Sequence, residues 1–170
     1  PARPPTNDRG AAAIRLSSFH QSMVNLSAPD LTQHPPRSLR VRLGGFAHLP
    51  RLLDKARAAA AGKNGSYDFN CPMDRIFFEF TGIDHEALLA EVKTGKSDSE
   101  LLASIRSHTP RRASEIHAWS AWLEQHGPGG AGGHEWLAET IKATAAARDD
   151  IRSFADLLDF DDFASFGGKA

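Results

Sequence analysis

From Leu49 onward the apolar positions of this chain recur every three or four residues, the period of a helix with one buried face. In HLPRLLDKARAAAAG, Leu49, Leu52, Leu53, Ala56 and Ala60 share a face, and Gly62 stands where a left-handed C-cap belongs. CPMDRIFFEF reads as a second helix, with Pro72 suited to its first turn and Thr81-Gly82 ending it. Asp84 caps a third helix through Val92, closed by Gly95. Ser97-Asp98-Ser99-Glu100 is a capping box that opens a helix burying Leu101, Leu102 and Ile105. Thr109-Pro110 introduces EIHAWSAWLEQ, with Ile116, Trp119 and Leu123 on one face. A helix from about Glu135 carries Leu137, Ile141 and Ala145 at spacing four. A last one carries Ile151, Phe154, Ala155 and Leu158, and Phe160, Phe163 and Phe166 continue it until Gly167-Gly168.

Little else follows a regular period. SYDFN, after the Asn64-Gly65 turn, is the only segment that alternates like a strand, and it is too short to found a sheet. GPGGAGG at 127–133 reads as a flexible connection. Phe77 and Phe78 are neighbours on one helix and cannot share a face, so one of them is expected at the surface or in a second interface. The expected fold is all-α, a compact bundle of about six short helices with at most one very short strand or hairpin. Residues 23–170 form a single helical domain in this reading. Residues 1–22 show neither period and are rich in Pro, Ala, Arg and Ser, so they read as a disordered arm or an upstream extension before a natural start at Met23.

Composition narrows the function classes. The chain has 170 residues, 41% hydrophobic and 24% charged, which is one ordinary globular domain. Its apolar runs fall far short of the roughly 20 residues that span a bilayer. The single cysteine, Cys71, excludes an internal disulfide and any site built on several thiolates. A net charge of -1 offers no general attraction to nucleic acid or to a membrane. The charge is segregated, however. Residues 1–63 hold ten Arg or Lys against three acids, and residues 64–170 hold ten against eighteen. Either a basic arm seeks an external anion, or the two halves attract each other within one fold, and a single domain favours the second.

Candidate chemistry centres on Cys71. A cysteine just before Pro72, at the mouth of a helix, meets the positive end of the helix dipole and free amide donors, a setting that favours the thiolate. Arg75 follows one turn later. Asp54 and Lys55 on the first helix, with Asp74 after Cys71, are the polar groups able to complete a catalytic cleft. Arg37, Arg40, Arg42 and Arg51 are the anion-binding candidates, since guanidinium forks match carboxylate and phosphate geometry. Asp149, Asp150, Asp156, Asp159, Asp161 and Asp162 compete for them from within the chain. No two of the eight histidines lie three or four residues apart, so no metal is expected. Gly127, Gly129 and Gly132 match G-x-G-x-x-G, but without a preceding strand the match implies no dinucleotide and no cofactor.

The run DLTQHPPRSLRVRLGGFAHLPRLLDKARAAAAGKNGSYDFNCPMD, with FFEFTGID, TGKSD and DLLDFDDFASFGGKA after it, resembles a family of short bacterial proteins, the domain of unknown function DUF5069. The resemblance extends from about Asp30 to Ala170. It implies a soluble bacterial protein and brings no reaction or cofactor with it; the location expected for such a single domain is the cytoplasm. It draws attention to Arg37, Arg42, Gly44, Gly45, Pro50, Arg51, Asp54, Lys55, Cys71, Pro72 and Asp74, without assigning them roles.

Two functional readings follow. One is a binding module for a protein partner or a small anionic ligand, with a homodimer as one form of it. The other is a small cysteine-dependent enzyme or redox protein using Cys71 with Asp54, Lys55 and Asp74. The second requires Cys71 to be partly exposed at a helix N-terminus, within reach of a carboxylate or a base. The first is served by a buried Cys71 and by arginines facing a cleft.

Overall fold

Nine of the twelve residues of α1 (Leu49–Ala60) are buried, so this helix runs through the interior instead of lying on it. The computed structural model describes residues 28–145 and 148–169, and among these the regular structure is helical throughout. After α1 come α2 (Pro72–Thr81), α3 (His85–Lys93), α4 (Asp98–His108), α5 (Ala113–Gln125), α6 (Gly130–Ala145) and α7 (Phe154–Ser165). Helix α1 packs on α3, and α5 packs on α7. The proposed arm of residues 1–22 lies outside the described residues.

Local chemistry sets the helix ends. Gly62, at φ 67°, lets Lys63 N–H reach Ala58 O at 2.8 Å and Gly62 N–H reach Ala59 O at 3.2 Å, which satisfies two orphan carbonyls of α1. Ser97 and Glu100 exchange bonds of 3.3 and 2.8 Å at the start of α4. The same device opens α7, where Ser153 and Asp156 exchange bonds of 3.1 and 2.9 Å. That cap places the start of α7 after Ile151, which the periodicity had drawn into the helix. Ile151 instead packs with Phe160 in a small cluster beside α7.

The main core gathers Leu49, Leu52, Leu53 and Ala56 of α1 with Phe77, Phe78, Leu88, Leu101 and Ile116 from the four helices that follow. Phe77 and Phe78 are both buried, each in a different contact, so neither is at the surface. Phe77 meets Phe46 edge-on and Phe78 meets Phe69, so α2 is covered on two sides by loop aromatics that helical periodicity does not count. A second cluster joins Leu39 and Ala47 of the N-terminal segment to Leu123 and Ala155. Trp119 stacks on Phe80 with ring centroids 4.4 Å apart, whereas Trp122 and Trp136 remain 47% and 50% exposed.

Of two further expectations, the first holds and the second differs in detail. SYDFN pairs with no strand; among the described residues the only bridge is the isolated one between Leu43 and Phe46. The glycine-rich segment is no mere connection, because α6 begins at Gly130 and includes Gly132 and Gly133. Each glycine costs a helix about 1 kcal/mol, which is a penalty and not a prohibition. Gly133 also has a packing reason, since a Cβ there would sit 2.9 Å from Pro128 Cβ.

The Leu43–Phe46 turn closes with reciprocal backbone bonds of 3.0 and 3.1 Å, and its two central residues, Gly44 and Gly45, have φ of 61° and 93°. A turn of this hand suits glycine at both positions. A Cβ on Gly44 would also lie 2.5 Å from Leu102 Cδ1. Gly44→Ala should therefore lower the unfolding free energy in urea titrations by about 1–3 kcal/mol. Gly129→Ala, where a Cβ meets nothing within 4 Å, should stay within about 0.5 kcal/mol of the parent.

Candidate functional site

His48, the residue that caps α1, has φ 68° and ψ -25°, a left-handed backbone rarely adopted by a residue with a side chain. Its N–H donates to Leu39 O at 2.8 Å, and its Nε2 lies 2.7 Å from Asp74 Oδ1. Asp74 is at the third position of α2 and is 0% exposed. It also accepts from Lys55 Nζ at 2.8 Å, Asn70 N–H at 2.9 Å and Cys71 N–H at 3.3 Å. A buried carboxylate without partners would cost several kcal/mol. Burial by itself would raise the Asp74 carboxyl, but the His48 hydrogen bond and the Lys55 charge outweigh it and hold it below the usual range.

An ionised Asp74 requires His48 Nε2 to carry the hydrogen, which leaves Nδ1 as a lone-pair acceptor. That atom is buried and has no hydrogen-bond partner. Burial lowers the His48 pKa, against the pull of Asp74, so the ring is held neutral below its ordinary titration range.

Lys55 donates in three directions: to Asp68 O at 3.0 Å, to Asp74 Oδ2 at 2.8 Å and to Cys71 Sγ at 3.3 Å. These use all three ammonium protons. Cys71 is the N-cap of α2 and is half-buried. It stands in the wall of a pocket of about 220 Å³, together with His48, Lys55, Tyr67, Met73 and Leu158. Arg51 closes the far side. Its Nη1 and Nη2 reach Asp162 on α7 at 2.6 and 3.1 Å, and the Tyr67 hydroxyl donates to the same carboxylate at 2.7 Å. Burial and the Asp162 carboxylate push the Tyr67 phenol upward, so it stays protonated.

Of the residues singled out from sequence, Lys55, Cys71 and Asp74 come together, and Asp54 does not join them. One residue along a helix is a rotation of about 100°, and Asp54 faces Arg37, receiving Nε at 2.8 Å and Nη2 at 2.7 Å. Arg37 also reaches Asp98 at 2.7 Å. Arg40 pairs with Asp156 and Asp159, and Arg42 pairs with Glu124 at 2.7 and 2.8 Å. Each of the four arginines thus holds a carboxylate of the chain, and only Arg51 borders the pocket. His48 and Tyr67 complete the site without having been singled out, and Asp162, expected only as one of six acids competing for the arginines, completes it as the partner of Arg51. Only the position of His48, two residues before a helix-opening proline, marks it in the sequence.

Among the described residues, no three His, Cys, Asp or Glu side chains gather as a metal site would require. Nor is any described helix long and apolar enough to cross a membrane. A family model described as "Domain of unknown function (DUF5069)" matches residues 33–164. No curated protein matches the chain.

The neutral His48 has a consequence for stability. Its pKa is lowered in the fold from the usual 6.5, so the unfolded chain takes up a proton that the fold refuses. The stability it supports is complete above that value and is lost as pH falls below it. Urea unfolding between pH 7 and 5 should show a decline of up to about 1.4 kcal/mol per pH unit from this group, and His48→Gln should remove that component. An unchanged slope in the variant would place the proton elsewhere.

Proposed function

Because the chain belongs to the DUF5069 family, a domain of unknown function, no reaction is inherited, and we propose one from the site itself: the cleft between α1 and the start of α2 is a small-molecule active site with Cys71 as its nucleophile. The observation that carries this reading is the 3.3 Å contact from Lys55 Nζ to Cys71 Sγ in the wall of an open pocket. A thiolate, and not a thiol, is the attacking form of cysteine. Here an ammonium and the first turn of α2 both face the sulfur. In the proposed step the thiol proton leaves to water at the pocket mouth. Sγ bonds to an electrophilic carbon, and that carbon's bond to its leaving group breaks. Asp74 fixes Lys55 and the backbone of Cys71 in register, so both act from a rigid base. The setting we propose is the cytoplasm of a bacterium, where a lone cysteine persists as the thiol.

A second reading, a binding module for a protein partner or a second copy, draws on the half-exposed Trp122 and Trp136. Phe154 lies between them, through His126 on one side and directly against Trp136 on the other. Tryptophan at a surface is characteristic of interface anchors.

The thiol reading is tested on the parent protein without any substitution. Iodoacetamide at pH 7 should modify Cys71 in the native chain about tenfold faster than in the urea-unfolded chain, although folding half-buries the sulfur. A native rate below the unfolded one makes Cys71 an ordinary packed thiol and ends this reading.

A further inference from the structure

The hydrogen-bonding groups of the pocket are unevenly occupied. Its cationic and phenolic donors are engaged: the three protons of Lys55 go to Asp68, Cys71 and Asp74, the fork of Arg51 goes to Asp162, and the Tyr67 hydroxyl goes to Asp162 as well. Its acceptors are not. His48 Nδ1 belongs to a ring only 1% exposed in the pocket wall, and it has no donor. Two further lining residues, Asp68 and Asp161, are exposed. Among the described residues neither carboxylate has a cationic partner.

The charges point the same way. Lys55 and Arg51 are each matched by a buried carboxylate, Asp74 and Asp162. His48 and Tyr67 are neutral. The acids Asp68 and Asp161 therefore leave the pocket with an excess of negative charge, and a low-dielectric cleft concentrates the field of such an excess at its mouth. Met73 and Leu158 offer an apolar strip beside it.

We infer that this pocket takes a small organic cation, an alkylammonium or alkylguanidinium whose N–H groups donate to the unengaged acceptors of the wall. The positive head meets the carboxylates of Asp68 and Asp161, an N–H reaches toward His48 Nδ1, and the hydrocarbon stem lies along Met73 and Leu158. The inference rests on reading the cleft as a small-molecule site, and it identifies the class of molecule that would meet Cys71 there. It runs opposite to an anionic ligand, which would find no unengaged donor on Lys55 or Tyr67.

The probes are agmatine, which carries both cationic heads, and butyrate, an anion of comparable length. Binding is followed by calorimetry on the Cys71→Ser protein at low salt, so that no covalent chemistry intervenes. Agmatine should bind at least tenfold more tightly than butyrate. Asp68→Asn with Asp161→Asn should weaken agmatine at least tenfold, and added salt should weaken the parent more than the double variant. Equal affinity for butyrate, no agmatine binding by a folded protein, or an unchanged double variant each overturns the inference. The two proposals fail separately. A slow native alkylation with intact agmatine binding removes the nucleophile and keeps the cation site, and fast alkylation without amine binding does the reverse.

Discussion

One wholly buried carboxylate organises this molecule. Asp74 sits where water cannot reach it, and its ionised form persists because Lys55, His48 and two backbone amides converge on it from α1 and from the turn into α2. The energetics of such a group are asymmetric. The full set of bonds contributes modestly, but loss of a charged partner leaves an uncompensated buried charge at a cost of about 3–5 kcal/mol. That constraint accounts for features that look unrelated. His48 keeps a left-handed backbone because its ring must reach Asp74. Asn70 has φ 67° so that its N–H can turn inward, and Asn tolerates that conformation better than most residues. Cys71 is placed beside Lys55 because both are bound to the same anion.

The segregation of charge along the chain becomes complementarity in space. Arg37, Arg40, Arg42, Arg51 and Arg57, all in the basic first part, pair with Asp98, Asp156, Asp159, Glu124 and Asp162 of the acidic remainder. Half-buried, solvent-screened pairs of this kind contribute modestly each, on the order of 1 kcal/mol, so they orient the N-terminal segment more than they hold it. The Arg51–Asp162 pair differs, because both side chains are buried and the pairing is bidentate.

What was legible in the sequence was local. The Ser97–Glu100 box, the Gly62 cap, Pro72 at a first turn and the all-α class follow from interactions within four or five residues, and the backbone obeys them. Phe77 and Phe78 show the limit. Helical period places one of them outward, but Phe69 lies outside the helix and covers it. The candidate site divides along the same line. Lys55, Cys71 and Asp74 carried chemical signals of their own. Asp162 is one aspartate in an acidic run with nothing to distinguish it, and its role exists only once α7 lies against α1. Asp54 is the converse, a carboxylate adjacent to Lys55 in sequence whose direction on the helix turns it to Arg37.

The Arg51–Asp162 pair joins residues 111 positions apart, and that separation bears on how the chain is made. Synthesis proceeds from the N-terminus, so α1 and its guanidinium emerge long before their counter-ion. Until residue 162 is available, closing the interior over Arg51 would bury a lone positive charge beside Lys55. The charge of Arg51 is matched only with α7 in place, and α7 also supplies Leu158 and Asp161 to the pocket. The helix that neutralises Arg51 is in this sense also a wall of the pocket.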